Sequence, residues 1–340
     1  MTRSRKMLLL VVLVLGMATA GQAATLTKKS RELAEKATAG AVTGEAGWLF
    51  LKEELQHLAA GPFWGEDAAT ASLARDKASA DPLKAIVAYN SKLAERGITL
   101  YLMPVPPKAL VYPDKLAPGL TTRDAAAEVA RYEEFYGKLS GAGVKVINLL
   151  PQLLEHRDER QLYCRTDSHY SAAGLDMFAA AAADALKKEP WYKDVAKKEF
   201  SFAKLLLRFN GDLRQMASGS GAEEEMELQV VTAADGGGQV ESDPRSPVIL
   251  LGDSHTLVFQ AGGDLHAKGA GLFDHLSAKL GFAVDLLGVR GSGVTPARIK
   301  LFQRAKQDPS YLAGKKALVW CFAAREFTGA GGWKEIPVAP

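Results

Sequence analysis

Residues 248–259 read VILLGDSHTLVF. Four apolar residues run into Gly252-Asp253-Ser254-His255, and an apolar stretch resumes. A strand that ends in a Gly-containing turn and leads into a helix presents one side chain at the rim of a sheet, here Ser254. A serine hydroxyl is a poor nucleophile at neutral pH and needs a base within hydrogen-bond reach. The chain offers six histidines. His57, His156, His266 and His275 lie in polar, helix-like or loop contexts and read as solvated or packed side chains. His255 adjoins Ser254, and adjacent side chains diverge, so it reads as pocket lining rather than base.

His169 differs. It sits in YCRTDSHYSAAG (163–174), at a predicted strand-to-helix transition, with Asp167 two residues before it. In extended chain, residues i and i+2 point the same way. Asp-x-His can thus hold a carboxylate beside an imidazole and fix its tautomer, as a catalytic triad requires. Alone, the pattern reads more simply as a turn acid beside a buried polar histidine. The Gly-Asp-Ser after an apolar strand tips the reading towards Ser254, His169 and Asp167. A metal centre needs a further ligand of suitable type, and none is obvious nearby, so neither metal nor cofactor is expected.

The elements that must position these residues alternate. Helical apolar spacing marks 81–97, 125–143, 171–188 and 295–307, with Ser171 a plausible N-cap. Apolar β-rich runs mark 47–51, 98–106, 144–150, 248–251, 283–289 and 317–322. Such alternation predicts an α/β fold, a mainly parallel sheet covered by helices on both faces. Sites in such sheets lie at the carboxyl ends of strands. Ser254, Arg290 and Arg325 all fall just beyond predicted strand ends. Residues 211–246, with a β-like LQVVTA (228–233), break the rhythm and read as an insertion into a domain spanning 47–340.

The chain has 340 residues, 47% hydrophobic and 24% charged, a globular composition. Arg3, Arg5 and Lys6 precede the apolar run Met7–Ala20, and Gly21-Gln22-Ala23 follows. A basic start, a short apolar run and a small-x-Ala site predict a secretory signal over 1–23, cleaved or retained as an anchor. Residues 24–46 then read as a short helix and linker. Losing those three cations from 42 basic residues leaves them level with the 39 acidic ones. The formal +3 is therefore no argument for nucleic-acid binding. Cys164 and Cys321 read as buried strand residues, although an oxidising compartment would allow them to pair.

GDSHT resembles the serine block of the SGNH/GDSL hydrolase superfamily. In most of that superfamily the Asp/His block comes last, whereas here it precedes the serine. The permuted order resembles the alginate O-acetyltransferase family of AlgJ and AlgX type, which combines TDxHW/Y with a later GDS. GWLFL (47–51), PVPPKALVYPDKL (104–116), VRGSG…AR (289–298) and KKALVWCFAARE (315–326) agree in the same order. The resemblance implies a three-layer α/β/α domain. Ser254 would take an acetyl group, His169 would act as base then acid, and Asp167 would orient it.

Oxyanion donors are less defined. The Ser254 N–H and Gly291 of RGSG are the candidates, since glycine lets backbone approach a ligand closely. The superfamily's usual loop Asn is missing after ALVWCF, where Ala323-Ala324-Arg325 stands. Arg325 or Arg290 could replace it or bind an acidic sugar. Lys108 has similar standing, and Tyr170 could stack on a sugar ring.

Three functions compete. The first is a periplasmic O-acetyltransferase on an exported polysaccharide, alginate or similar. Acetyl-CoA is cytoplasmic, so the resemblance implies a membrane-bound O-acyltransferase partner and other export proteins. The second is a secreted esterase or deacetylase with the same triad. The third is a non-catalytic scaffold of a secretion complex. With the last strand ending at 322, an added carbohydrate-binding module is not expected. The polymer and its acetylated hydroxyl are not specified.

Overall fold

The computed structural model describes residues 18–217, 221–234 and 238–340, with side chains from Leu26 onward. The signal segment lies outside the described residues up to Met17. Backbone from Ala18 forms a helix that runs to Lys36, where a short helix and linker were expected from residue 24. No helix among the described residues is long and apolar enough to cross a membrane.

The strands, in chain order, are β1 (Ala41–Thr43), β2 (Leu49–Leu51), β3 (Thr99–Val105), β4 (Lys145–Val146), β5 (Phe200–Phe209), β6 (Glu224–Ala233), β7 (Val248–Gly252), β8 (Asp285–Gly288) and β9 (Ala317–Ala323). The central sheet has the order β4-β3-β9-β7-β8 and is parallel at every pairing. Its inner strands read as continuous apolar runs because both faces are covered. Every residue of β7 and β9 is buried. Alternate side chains of β9 serve opposite layers. Trp320 meets Tyr89 of the helix Pro82–Ala94 and Arg298 of the helix Thr295–Gln307. The apolar burial along these strands is the main stabilising term, roughly 25 cal/mol per Å² removed from water. The layered α/β expectation therefore holds.

Three local readings change. The run 144–150 pairs over Lys145–Val146 only, because Asn148 accepts from the Leu150 N–H and starts a helix there. The excursion expected at 211–246 begins earlier, since β5 pairs with β6 over ten residues as an antiparallel ribbon. Phe202, Leu205 and Leu206 of β5 remain exposed, so its apolar content carried no burial pattern to read. Ser254 opens a single 3-10 turn, Ser254–Thr256, rather than a helix. Both cysteines are free and buried.

Parallel pairing aligns the ends of β7, β8 and β9, with Gly252 opposite both Cys321 and Gly288. Gly252 has no room for a side chain, since a Cβ there would lie 1.8 Å from the Cys321 carbonyl oxygen. Gly252→Ala should therefore cost about 3 kcal/mol by overpacking. Gly314→Ala, where a Cβ meets nothing within 4 Å, should stay within about 0.5 kcal/mol. Urea unfolding of both variants checks the pair.

Candidate active site

Two copies of one tripeptide meet at this rim: Asp167-Ser168-His169 and Asp253-Ser254-His255. Each aspartate folds back on its own histidine. Asp167 Oδ1 accepts from the His169 N–H at 3.0 Å and faces His169 Nδ1 at 2.6 Å. Asp253 Oδ1 accepts from the His255 N–H at 2.9 Å and faces His255 Nδ1 at 3.0 Å. These are Asx turns, in which a side-chain oxygen replaces a backbone acceptor. The expected pairing of Asp167 with His169 is present, but a bend closed by the Cys164 N–H to His169 carbonyl bond makes it, not extended chain.

The two copies are not equivalent. His169 Nε2 lies 2.7 Å from Ser254 Oγ, which is half-buried. His255 is buried, its Nε2 lacks a partner among the described residues, and its ring sits 4.7 Å from that of His169. Ser168 Oγ instead donates to Asp212 Oδ2 at 2.6 Å. Only Ser254 thus faces a histidine whose other nitrogen is held by an acid.

Charge follows the same geometry. Burial would raise the Asp167 carboxyl, yet His169 and His266 beside it outweigh this and hold it well below the usual carboxylate range. Burial would lower His169, yet the Asp167 charge and hydrogen bond lift it above the ordinary 6.5. His255 goes the other way, because burial outweighs its bond to Asp253 and keeps it neutral. Asp253 Oδ2 accepts from the Ala323 N–H at 2.7 Å, tying the serine turn to the end of β9. The Ser254 N–H opens its turn, so it has no acceptor within the turn.

Two residues at the site escaped the sequence reading. His266, read as solvated or packed, places Nε2 2.8 Å from Asp167 Oδ2. Asp212 donates its N–H to the same oxygen at 3.0 Å. No local sequence pattern connects either residue to Asp167. Asp212 also supplies the further ligand type that the sequence lacked near His169. One ligand atom each of Asp167, His169 and Asp212 lies within 4.8 Å of the others. Their oxygens and nitrogens already face N–H and O–H donors or Ser254, with Asp212 Oδ1 accepting from the Ser168 N–H at 2.7 Å. A cation would have to displace those donors, so the donor set fits a hydrogen-bonded cluster.

The secondary candidates separate. Lys108 is fully buried, and its Nζ donates to the carbonyls of Leu49, Cys164 and Asp167 at 2.7, 2.9 and 2.7 Å. With its three donors used, it supports the bend that carries Asp167 and His169 and is not free to bind a substrate. Tyr170 is likewise fully buried and donates to the His255 carbonyl, so no sugar can stack on it. Arg290 is exposed and paired with Asp264. Arg325 and Gly291 line one cavity of about 240 Å³ with Glu53, Ser292 and Glu326. Arg325 stands 3.8 Å from Glu53 and Glu54, and its Nη1 lacks a hydrogen-bond partner among the described residues. A Cβ on Gly291 would meet nothing within 4 Å, whereas one on Gly293 would lie 2.7 Å from Asp253 N. The close approach of that loop to the serine turn is therefore made by Gly293, not Gly291.

A model of the SGNH hydrolase-like domain of the acetyltransferase AlgX matches residues 41–324. Probable alginate O-acetylase AlgJ of Pseudomonas aeruginosa is 27% identical over 140 residues, 41% of this chain and 31% of its own. Alginate biosynthesis protein AlgX of the same organism is 24% identical over 194 residues, 52% of this chain and 39% of its own. The matches thus span about a third of these relatives' length. The solved O-acetyltransferase domain of Pseudomonas putida AlgJ superposes with a TM-score of 0.61 at 21% identity, covering 85% of this chain and 92% of that one. AlgX of Pseudomonas aeruginosa gives 0.61 at 20%, covering 83% and 61%. These likenesses show the fold.

Lys108→Met tests the support under the bend at 165–169. It keeps most of the volume but leaves three buried carbonyls without their donor. The loss should be about 3–5 kcal/mol in chemical denaturation, the scale for breaking a buried charged network.

Proposed function

This chain belongs to the family of SGNH hydrolase-like acetyltransferase AlgX domains, and on that footing we propose that it is a periplasmic O-acetyltransferase acting on an exported polysaccharide of the alginate type. The observation that carries the reading is the unbroken line Asp167, His169, Ser254, with contacts of 2.6 and 2.7 Å, at the carboxyl rim of a parallel sheet.

In the proposed reaction, Ser254 Oγ attacks the carbonyl carbon of an acetyl donor while His169 Nε2 takes the hydroxyl proton. Asp167 holds Nδ1–H and stabilises the imidazolium without taking its proton. The Ser254 N–H supports the developing oxyanion, and such donors are worth about 3 kcal/mol each. His169 then protonates the leaving group, and acetyl-Ser254 remains. A sugar hydroxyl loses its proton to His169, attacks the acetyl carbon, and restores Ser254 as His169 returns that proton. The acetyl group arrives from a membrane-bound O-acyltransferase, since acetyl-CoA does not reach the periplasm.

Mass spectrometry after brief exposure to an activated acetyl ester should show one acetyl group on Ser254, absent in Ser254→Ala. Alginate oligomers should carry the group away faster than water does. Loss to water alone would make the chain an esterase; no adduct would leave either the scaffold role or an enzyme inert without its donor partner, and no adduct with that partner present would leave only the scaffold.

Acetyl-serine formation should depend on one ionisation. His169 must be neutral to act, and Asp167 raises its pKa above 6.5. The rate should climb with pH through that raised value and then level. Stability should run the opposite way. The stabilisation from the protonated His169 paired with Asp167 is full below 6.5 and fades as pH passes the folded value. Stopped-flow acylation and thermal melts, followed from below 6.5 up to the pH where the rate levels, check both slopes.

A further inference from the structure

A triad acid needs one oxygen for its histidine, and here the other oxygen is held by a second imidazole. His266 Nε2 lies 2.8 Å from Asp167 Oδ2. The ring is buried against Phe209 at 4.5 Å and Phe259 at 5.9 Å between centroids. It is carried by a tight loop in which the Gly262 N–H donates to the Ala267 carbonyl and the Phe259 N–H to the Leu265 carbonyl. His266 itself has a φ of 75°, which a non-glycine residue adopts only at some cost. The segment that supplies Phe209 also supplies the Asp212 N–H to the same oxygen. Two remote segments therefore converge on the oxygen of Asp167 that does not face His169.

We propose that His266 is a positioning residue for the acetyl-transfer reaction: its Nε2–H fixes the plane of the Asp167 carboxylate and draws part of its negative charge away from His169. A carboxylate that accepts a further hydrogen bond is stabilised in its charged form. It then pulls less on the His169 proton, so His169 stays a weaker acid-holder and is neutral at a lower pH. The charged and titratable groups facing Asp167 and His169 are His266, Asp212, Asp253, His255 and the Lys108 ammonium on the Asp167 carbonyl, with Asp264 and its partner Arg290 beyond His266. The kinetic arm of this inference rests on the proposed transferase; the titration arm does not.

The test compares His266→Phe with His266→Gln. Phe fills the site without a donor, whereas the Gln amide nitrogen can reach the place of Nε2. In proton NMR, the low-field Nδ1–H signal of His169 reports its titration without any acetyl chemistry. His266→Phe should move that titration to higher pH. It should also lower kcat for an activated acetyl ester about tenfold with KM unchanged, the scale of a small misplacement. His266→Gln should restore both. If the Phe variant does not fold, His266→Ala with added imidazole carries the comparison, and imidazole should restore the wild-type titration. A folded Phe or Ala variant with unchanged titration would overturn the proposal, as would failure of Gln or imidazole to rescue. A wild-type chain that takes no acetyl group would instead refute the proposed function, while the NMR titration still decides His266.

Discussion

The site is organised around one buried negative charge, the carboxylate of Asp167. Taking such a group out of water costs several kcal/mol unless its lone pairs are met by donors. Asp167 is 1% exposed, and its two oxygens face four N–H groups: two from His169, one from Asp212, one from His266. Its backbone carbonyl accepts the Lys108 ammonium. The donors come from the short helix that follows β3, the bend at 167–169, the segment after β5 and the loop near 266. Segments far apart in sequence are thereby joined by a requirement that none could meet alone.

A second buried carboxylate, Asp253, repeats the arrangement with a histidine whose ring lies 4.7 Å from that of His169. Asp253 secures the turn that carries Ser254 and ties it through the Ala323 N–H to the central strand β9. One acid thus fixes the His169 ring and the other fixes the turn that carries Ser254. Gly252 and Gly293 let Cys321 and Asp253 come close enough for this, since a side chain on either glycine would collide with backbone. The parallel sheet aligns the strand ends, and the two acids convert that alignment into a hydrogen-bonded line from Asp167 to Ser254.

This geometry also separates candidates that chemistry alone could not rank. Lys108, Arg290 and Arg325 are all cations near predicted strand ends. Lys108 is consumed by three carbonyls and Arg290 by an exposed acid, whereas Arg325 lies beside a cavity with an Nη1 that pairs with Glu54 at 3.8 Å but makes no hydrogen bond among the described residues. Glu326 in that cavity is pushed up to about 7 by burial. The cavity therefore sets one fixed cation beside one carboxyl, Glu326, that burial makes easier to protonate than usual.

Much could be read directly from the sequence. The buried strands are continuous apolar runs and the helices have apolar spacing with caps, so the α/β layering follows from local pattern. Asp167 and His169 are two residues apart, and Ser254 follows an apolar strand, so those three were readable too. The ribbon strand β5 was not, because its apolar residues face solvent and obey no burial period. Nor were His266 and Asp212, since nothing local links a loop histidine to an acid a hundred residues earlier. The clearest limit is the repeated Asp-Ser-His. Both copies make the same Asx turn, yet one presents the histidine and the other the serine. Short-range chemistry determined each turn; which side chain faces its counterpart depends on where β7 and the 163–170 bend meet, and only the packing of the whole sheet decides that.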